Sequence, residues 1–152
     1  IHLYVGRIAV EKNIEDFLRI DLPGSKLVVG DGPLLPDLRR KYPDVRFVGA
    51  KVGEELAAHY AAADLFVFPS KTDTFGLVLL DALASGLPVV AYPVPGPLDI
   101  VDGTGVGILD EDLAAGARRA IAIPPERCRE IALGYSWRAS AEQFLQNLQP
   151  FC

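Results

Sequence analysis

The buried-strand run Leu65-Phe66-Val67-Phe68-Pro69 leads through Ser70-Lys71-Thr72-Asp73-Thr74-Phe75-Gly76 into an apolar helical stretch ending near Ser85. The chain then emerges as a second apolar run, Pro88-Val89-Val90-Ala91. Strand, helix, strand at this spacing is a βαβ unit, and such a unit commits its two strands to run parallel. Parallel sheets are covered by helices on both faces, so their strands read as continuous apolar runs without alternation. The same pattern recurs along the chain. Candidate strands fall at 2–5, 26–29, 45–48, 64–68 and 88–91, with a shorter run near 105–109. Candidate helices fall at 13–20, 33–42, 53–62, 75–85, 111–121, 125–134 and 137–148. This order predicts the α/β class: an open parallel sheet of about six strands with helices on both faces.

The 152 residues suit a single domain with one sizeable core, residues 1–152. Half the residues are hydrophobic and 23% are charged, which excludes a disordered chain. The net charge of −5 comes with no basic run to offset it, which argues against a nucleic-acid partner. No apolar stretch approaches the ~20 residues that span a bilayer, and no secretory leader pattern is visible. Cys128 and Cys152 are unpatterned, and His2 and His59 lack partners at ligand spacing, so neither a disulfide framework nor a metal site is expected. Cytoplasmic residence is the expectation. The chain has no methionine and opens directly on a strand pattern, so it is expected to be part of a longer protein. No repeat or low-complexity segment interrupts it, and Ile123-Pro124-Pro125 separates two helices. The last helix carries Trp137, Ala141, Phe144, Leu145 and Leu148 at helical spacing. That stripe packs either on its own domain or on a partner domain.

Chemistry in an open parallel sheet gathers at the carboxyl ends of its strands. The helix start at Phe75-Gly76 offers unpaired N–H groups and a positive dipole end, suited to an anion such as a diphosphate. Asp73 stands before that helix and Asp81 inside it; Asp73 suits either a sugar hydroxyl or an N-terminal cap, and Asp81 suits ribose hydroxyls. Gly6-Arg7 follows the first strand and Lys12-Asn13 begins the next helix, so a planar fork and a point charge lie at the same edge. Gly30-Asp31-Gly32-Pro33 superficially suggests a phosphate loop. It lacks both the G-x-G-x-x-G pattern and a following Lys-Ser/Thr, so a tight structural turn is the favoured reading. Gly49-Ala50-Lys51-Val52 is a further candidate cleft segment, and Pro93-Val94-Pro95-Gly96-Pro97 reads as a stiff wall. Cys128, among Arg and Glu, reads as an ordinary helix residue.

Taken together, Tyr4-Val5-Gly6-Arg7-Ile8 through Glu11-Lys12-Asn13, Leu27-Val28-Val29-Gly30-Asp31-Gly32-Pro33, Val45-Arg46-Phe47-Val48-Gly49, Tyr60 to Ser70, Asp73 to Ala91 and Tyr135-Ser136-Trp137 resemble one family. That family is the retaining glycosyl transferases group 1 (family 4), and the resemblance is to their carboxyl-terminal, donor-binding domain. It implies a Rossmann-like half of a GT-B fold, with an amino-terminal acceptor domain outside this chain and 136–152 as a helix able to contact that domain. It implies transfer of a sugar from a nucleotide-diphosphate sugar, UDP favoured over GDP, to an acceptor hydroxyl with retention and without a metal. A lipid acceptor or a peripheral membrane surface would come through the absent domain. By position, Arg7, Lys12 and Asp73 take the catalytic places. Gly6, Thr74, Phe75, Gly76, Leu77 and Asp81 take donor-binding places, with Asp81 on the ribose and Gly49, Ala50, Lys51 and Val52 at the base. The family's Glu-x7-Glu motif is Asp-x7-Asp here, each carboxylate one methylene shorter. Two other parents share the architecture: a nucleotide-sugar epimerase, and a degenerate nucleotide-binding scaffold. A dinucleotide-dependent dehydrogenase is disfavoured by the absent glycine fingerprint.

Overall fold

The computed structural model of the chain describes residues 1–73 and 75–148. Six strands form one sheet: β1 (His2–Val5), β2 (Lys26–Val29), β3 (Arg46–Phe47), β4 (Leu65–Phe68), β5 (Val89–Ala91) and β6 (Gly107–Leu109). All pairs are parallel, in the order β3-β2-β1-β4-β5-β6. In register, Leu3 of β1 lies opposite both Leu27 of β2 and Phe66 of β4. The chain builds outward from β1 to one side, then returns to begin the other half at β4. The crevice of such a sheet therefore opens at the carboxyl ends of β1 and β4. This is the expected Rossmann-like open parallel sheet.

Side chains alternate between the two faces of each strand. Leu3, Val5, Val29, Phe66, Phe68 and Val89 build one core layer, completed by Leu79 and Leu83 from α4 (Leu77–Ala84) and Cys128 from α7 (Pro125–Ala132). Tyr4, Val28, Leu65, Val67 and Val90 build the other, against Phe17 and Leu18 of α1 (Ile14–Arg19), Leu38 of α2 (Leu35–Lys41) and Ala117 of α6 (Leu113–Ala120). Two buried layers explain why the strands read as unbroken apolar runs. Cys128 is fully buried, and burial raises its thiol pKa, which favours the neutral form.

Three elements differ from the sequence expectation. The Pro93–Pro97 wall gives way at Pro97 to a helix, α5 (Pro97–Val101), which buries Ile100 and Val101. Proline at the first helical position loses no hydrogen bond, so this Pro starts a helix instead of extending a loop. Strand β3 is two residues long, because it is an edge strand paired only to β2. Helix α4 begins at Leu77, because Gly76 is left-handed at φ 79°. The remaining helices are α3 (Gly53–Ala61) and α8 (Trp137–Asn147). All eleven residues of α8 are exposed, so its apolar stripe does not pack on the described residues of its own domain. Among the described residues, no helix is long and apolar enough to cross a membrane.

Candidate functional site

The turn after β1 is held from below. Tyr4 is buried and stacked on Phe17, with ring centroids 6.1 Å apart, and its hydroxyl donates to the Arg7 carbonyl at 2.8 Å. Burial first, and then the charges of Asp73 and Glu11, push the Tyr4 pKa up, so the phenol remains a donor. The Gly30–Gly32 turn presses on the same segment. A Cβ at Gly30 would stand 1.8 Å from the Gly6 carbonyl oxygen, and one at Gly32 would stand 2.3 Å from that of Ile8. The Ile8 N–H donates to the Asp31 carbonyl at 2.8 Å. This turn therefore locks two strand ends together, which is the structural reading the sequence favours.

A short 3-10 turn, Val10–Lys12, then carries Lys12 into the crevice. It ends at Asn13, the one non-glycine residue with positive φ among the described residues. The Asn13 amide donates to Asp16 and to the Pro69 carbonyl, and the Tyr92 hydroxyl donates to Asp16 at 2.6 Å. Lys12 is thus anchored, through its neighbour, to the ends of β4 and β5. From the opposite side, the Thr72 hydroxyl donates to the Glu11 carbonyl at 3.2 Å.

These turns enclose a cleft of about 360 Å³ at the carboxyl ends of β1 and β4. Gly6, Arg7, Lys12, Asp73, Phe75, Gly76 and Leu77 all line it. Lys12 Nζ lies 2.6 Å from Asp73 Oδ1. The Arg7 guanidinium is 3.2 Å from Glu11 and remains largely exposed. Asp73 therefore pairs across the cleft instead of capping the helix. Among the described residues, helix α4 starts at Gly76 with no side-chain cap and no acidic residue in its first turn, so its positive end faces the cleft. The backbone of Gly96 packs behind this turn, where a Cβ would come within 3.2 Å of the Asp73 and Phe75 carbonyl oxygens. Thr74, the remaining member of the segment, lies outside the described residues.

Asp81 is one turn along α4 and faces a second groove of about 250 Å³, between α3 and α4, with Gly53, Tyr60 and Ser85 among its walls. Partial burial there raises the pKa of its carboxyl. Burial, and then the Asp81 charge, raises that of Tyr60. Gly49, Ala50, Lys51 and Val52 do not line the first cleft; they lead into the start of α3 at Gly53, which borders the second groove. Gly49 accepts the Gly30 N–H at 2.9 Å, Lys51 pairs with Glu55 at 3.3 Å, and Val52 is 81% exposed. The sequence-derived residues thus divide between a cationic cleft and an adjoining carboxylate groove along one helix.

Sequence reasoning overlooked Tyr4 and Ser70 as cleft residues. Ser70 is 1% exposed, lines the cleft, and its Oγ has no hydrogen-bond partner among the described residues. Its only sequence signal is its place at the end of β4. Among the described residues, no group of three His, Cys, Asp or Glu side chains is placed to hold a metal ion. What the cleft brings together is two cations and a helix end, an environment suited to an anion, with the Asp73 carboxylate beside them.

The family model described as glycosyl transferases group 1 matches residues 1–123. The sulfoquinovosyl transferase SQD2 of Arabidopsis thaliana is 42% identical over 104 residues, covering 65% of this chain and 20% of that protein. A GDP-mannose-dependent alpha-mannosyltransferase of Corynebacterium glutamicum is 40% identical over 110 residues, covering 70% of this chain and 26% of the relative. The solved sucrose-phosphate synthase of Thermosynechococcus elongatus superposes with a TM-score of 0.81 at 33% identity, over 95% of this chain and 43% of that one. The chain thus spans less than half the length of each of these three proteins. With the family model covering most of its length, the chain belongs to the glycosyl transferases group 1 family.

Proposed function

We propose that this chain is the donor-binding domain of a glycosyltransferase that moves a sugar from a nucleotide diphosphate to an acceptor hydroxyl with retention. The observation that carries this reading is the convergence of Arg7, Lys12, Asp73 and the start of α4 on one cleft. Arg7, Lys12 and the helix end offset the charge that develops on the departing diphosphate, so no metal is required for that task. Asp73 and the backbone of Thr74, Phe75 and Gly76 meet the donor sugar, with Leu77 at the donor site. Asp81 accepts from the ribose hydroxyls, and the Gly49–Val52 segment meets the base. UDP is the favoured base; the GDP-mannose relative keeps GDP as the comparison.

Charge stabilisation of this kind works best in a closed, dry cleft. The second wall is an amino-terminal domain that also brings the acceptor, and α8 supplies apolar side chains to contact it. By itself the 152-residue chain is expected to bind nucleotide weakly and to transfer little sugar. Calorimetric titration with UDP, GDP and UDP-glucose, with chelator present, tests the reading. Binding that survives chelator and is weakened by both Arg7→Ala and Asp81→Ala supports it. Loss of binding in chelator, or indifference to both substitutions, would overturn it.

A further inference from the structure

We infer that Asp73 is a specificity-determining residue that lets the cleft favour a sugar-bearing nucleotide over the bare nucleoside diphosphate, by exchanging its partner Lys12 for sugar hydroxyls. The inference rests on the donor-site reading. The Lys12 and Asp73 side chains are 25% and 23% exposed, and their charged atoms stand 2.6 Å apart across the mouth of the cleft. A diphosphate entering beside Arg7 draws Lys12 to itself. Asp73 then loses its cation in a partly desolvated position and faces a new anion, both of which are costly.

The Tyr4 hydroxyl cannot replace Lys12, because its proton is committed to the Arg7 carbonyl. The Glu11 carboxylate adds a further negative charge nearby and holds Arg7 at 3.2 Å. A bare nucleoside diphosphate brings no donor to Asp73. A sugar nucleotide brings several hydroxyls, each able to donate to the released carboxylate. The pair thus weakens the cleft's hold on the nucleotide product after transfer and spares its hold on the donor.

The test compares dissociation constants of UDP and UDP-glucose, with GDP and GDP-mannose in parallel, for the unaltered chain, Asp73→Asn, Lys12→Gln and the double variant. Asp73→Asn is expected to tighten the bare diphosphate about tenfold relative to its sugar nucleotide, and less than about twofold once Lys12 is Gln, since the effect passes through that lysine. An equal tightening in both backgrounds would mean simple repulsion between Asp73 and the phosphates and would overturn the inference, as would an unchanged ratio of the two ligands. Absence of nucleotide binding by the unaltered chain would overturn the donor-site reading itself, and this inference with it. Asp73→Ser serves in place of Asp73→Asn should the latter fail to fold, with melting temperature as the check.

Discussion

Two glycine turns leave the same edge of the sheet and do opposite things. The turn after β2, Gly30-Asp31-Gly32, looks more like a phosphate loop in sequence, yet its two glycines are pressed against the carbonyls of Gly6 and Ile8. The turn after β4, ending at Gly76, looks plainer, yet among the described residues it leaves a helix start without a side-chain cap beside an open cleft. Glycine serves close packing in the first and a left-handed helix entry in the second. A glycine-rich signature at a strand end therefore says that backbone comes close to something; only the packing says whether that something is protein or ligand.

The largest expected effect tests the closed turn. Gly30→Ala forces a Cβ against a carbonyl oxygen, and we expect a loss of about 3–5 kcal/mol, seen as a fall of roughly 10 °C or more in Tm. A mild change would mean that the two strand ends separate easily. Next comes the open turn: Lys12→Ala should weaken UDP binding by about tenfold or more. Its Tm should fall by no more than ~5 °C, because the pair is only partly desolvated, with each side chain about a quarter exposed. A large loss of stability with intact binding would exchange the roles assigned to the two turns.

Asp81→Asn sharpens the picture on the groove side. Burial raises the folded-state pKa of Asp81, so the carboxyl is favoured when protonated, below its ordinary range. That favourable contribution is lost as pH rises through the raised folded-state value. Thermal melts should therefore show Asp81→Asn slightly more stable at pH 7, by no more than ~2 °C given solvent screening, and equal to the parent near ~pH 3. Its nucleotide binding should weaken at pH 7. The smallest effect is expected far from both turns: Trp137→Ala should change stability by less than about 0.5 kcal/mol, because that side chain is 91% exposed.

The sheet was legible because every central strand is buried on both faces, and Leu3, Phe66 and Val89 advertise this without alternation. Helix α5 was not, because five residues starting at a proline look like a loop until Ile100 and Val101 are seen in the core. For the cleft, spacing located Arg7, Lys12 and Asp73 at strand ends. The bond between Lys12 and Asp73 joins residues 61 positions apart, so it follows from strand order, with β1 beside β4, and from nothing local. Ser70 was missed because a buried hydroxyl and a solvated one are the same letter. Asp81 was placed on the correct helix. Its face, toward Tyr60 instead of toward Lys12, depends on where Gly76 starts the helix.

Helix α8 carries the chain's one tryptophan, Trp137, almost wholly in solvent. Its fluorescence will scarcely register melting of the sheet, whose last strand ends at Leu109, since its surroundings are aqueous before and after. It will instead respond to whatever comes to rest against α8, so the indole serves as a built-in optical probe of docking rather than of folding.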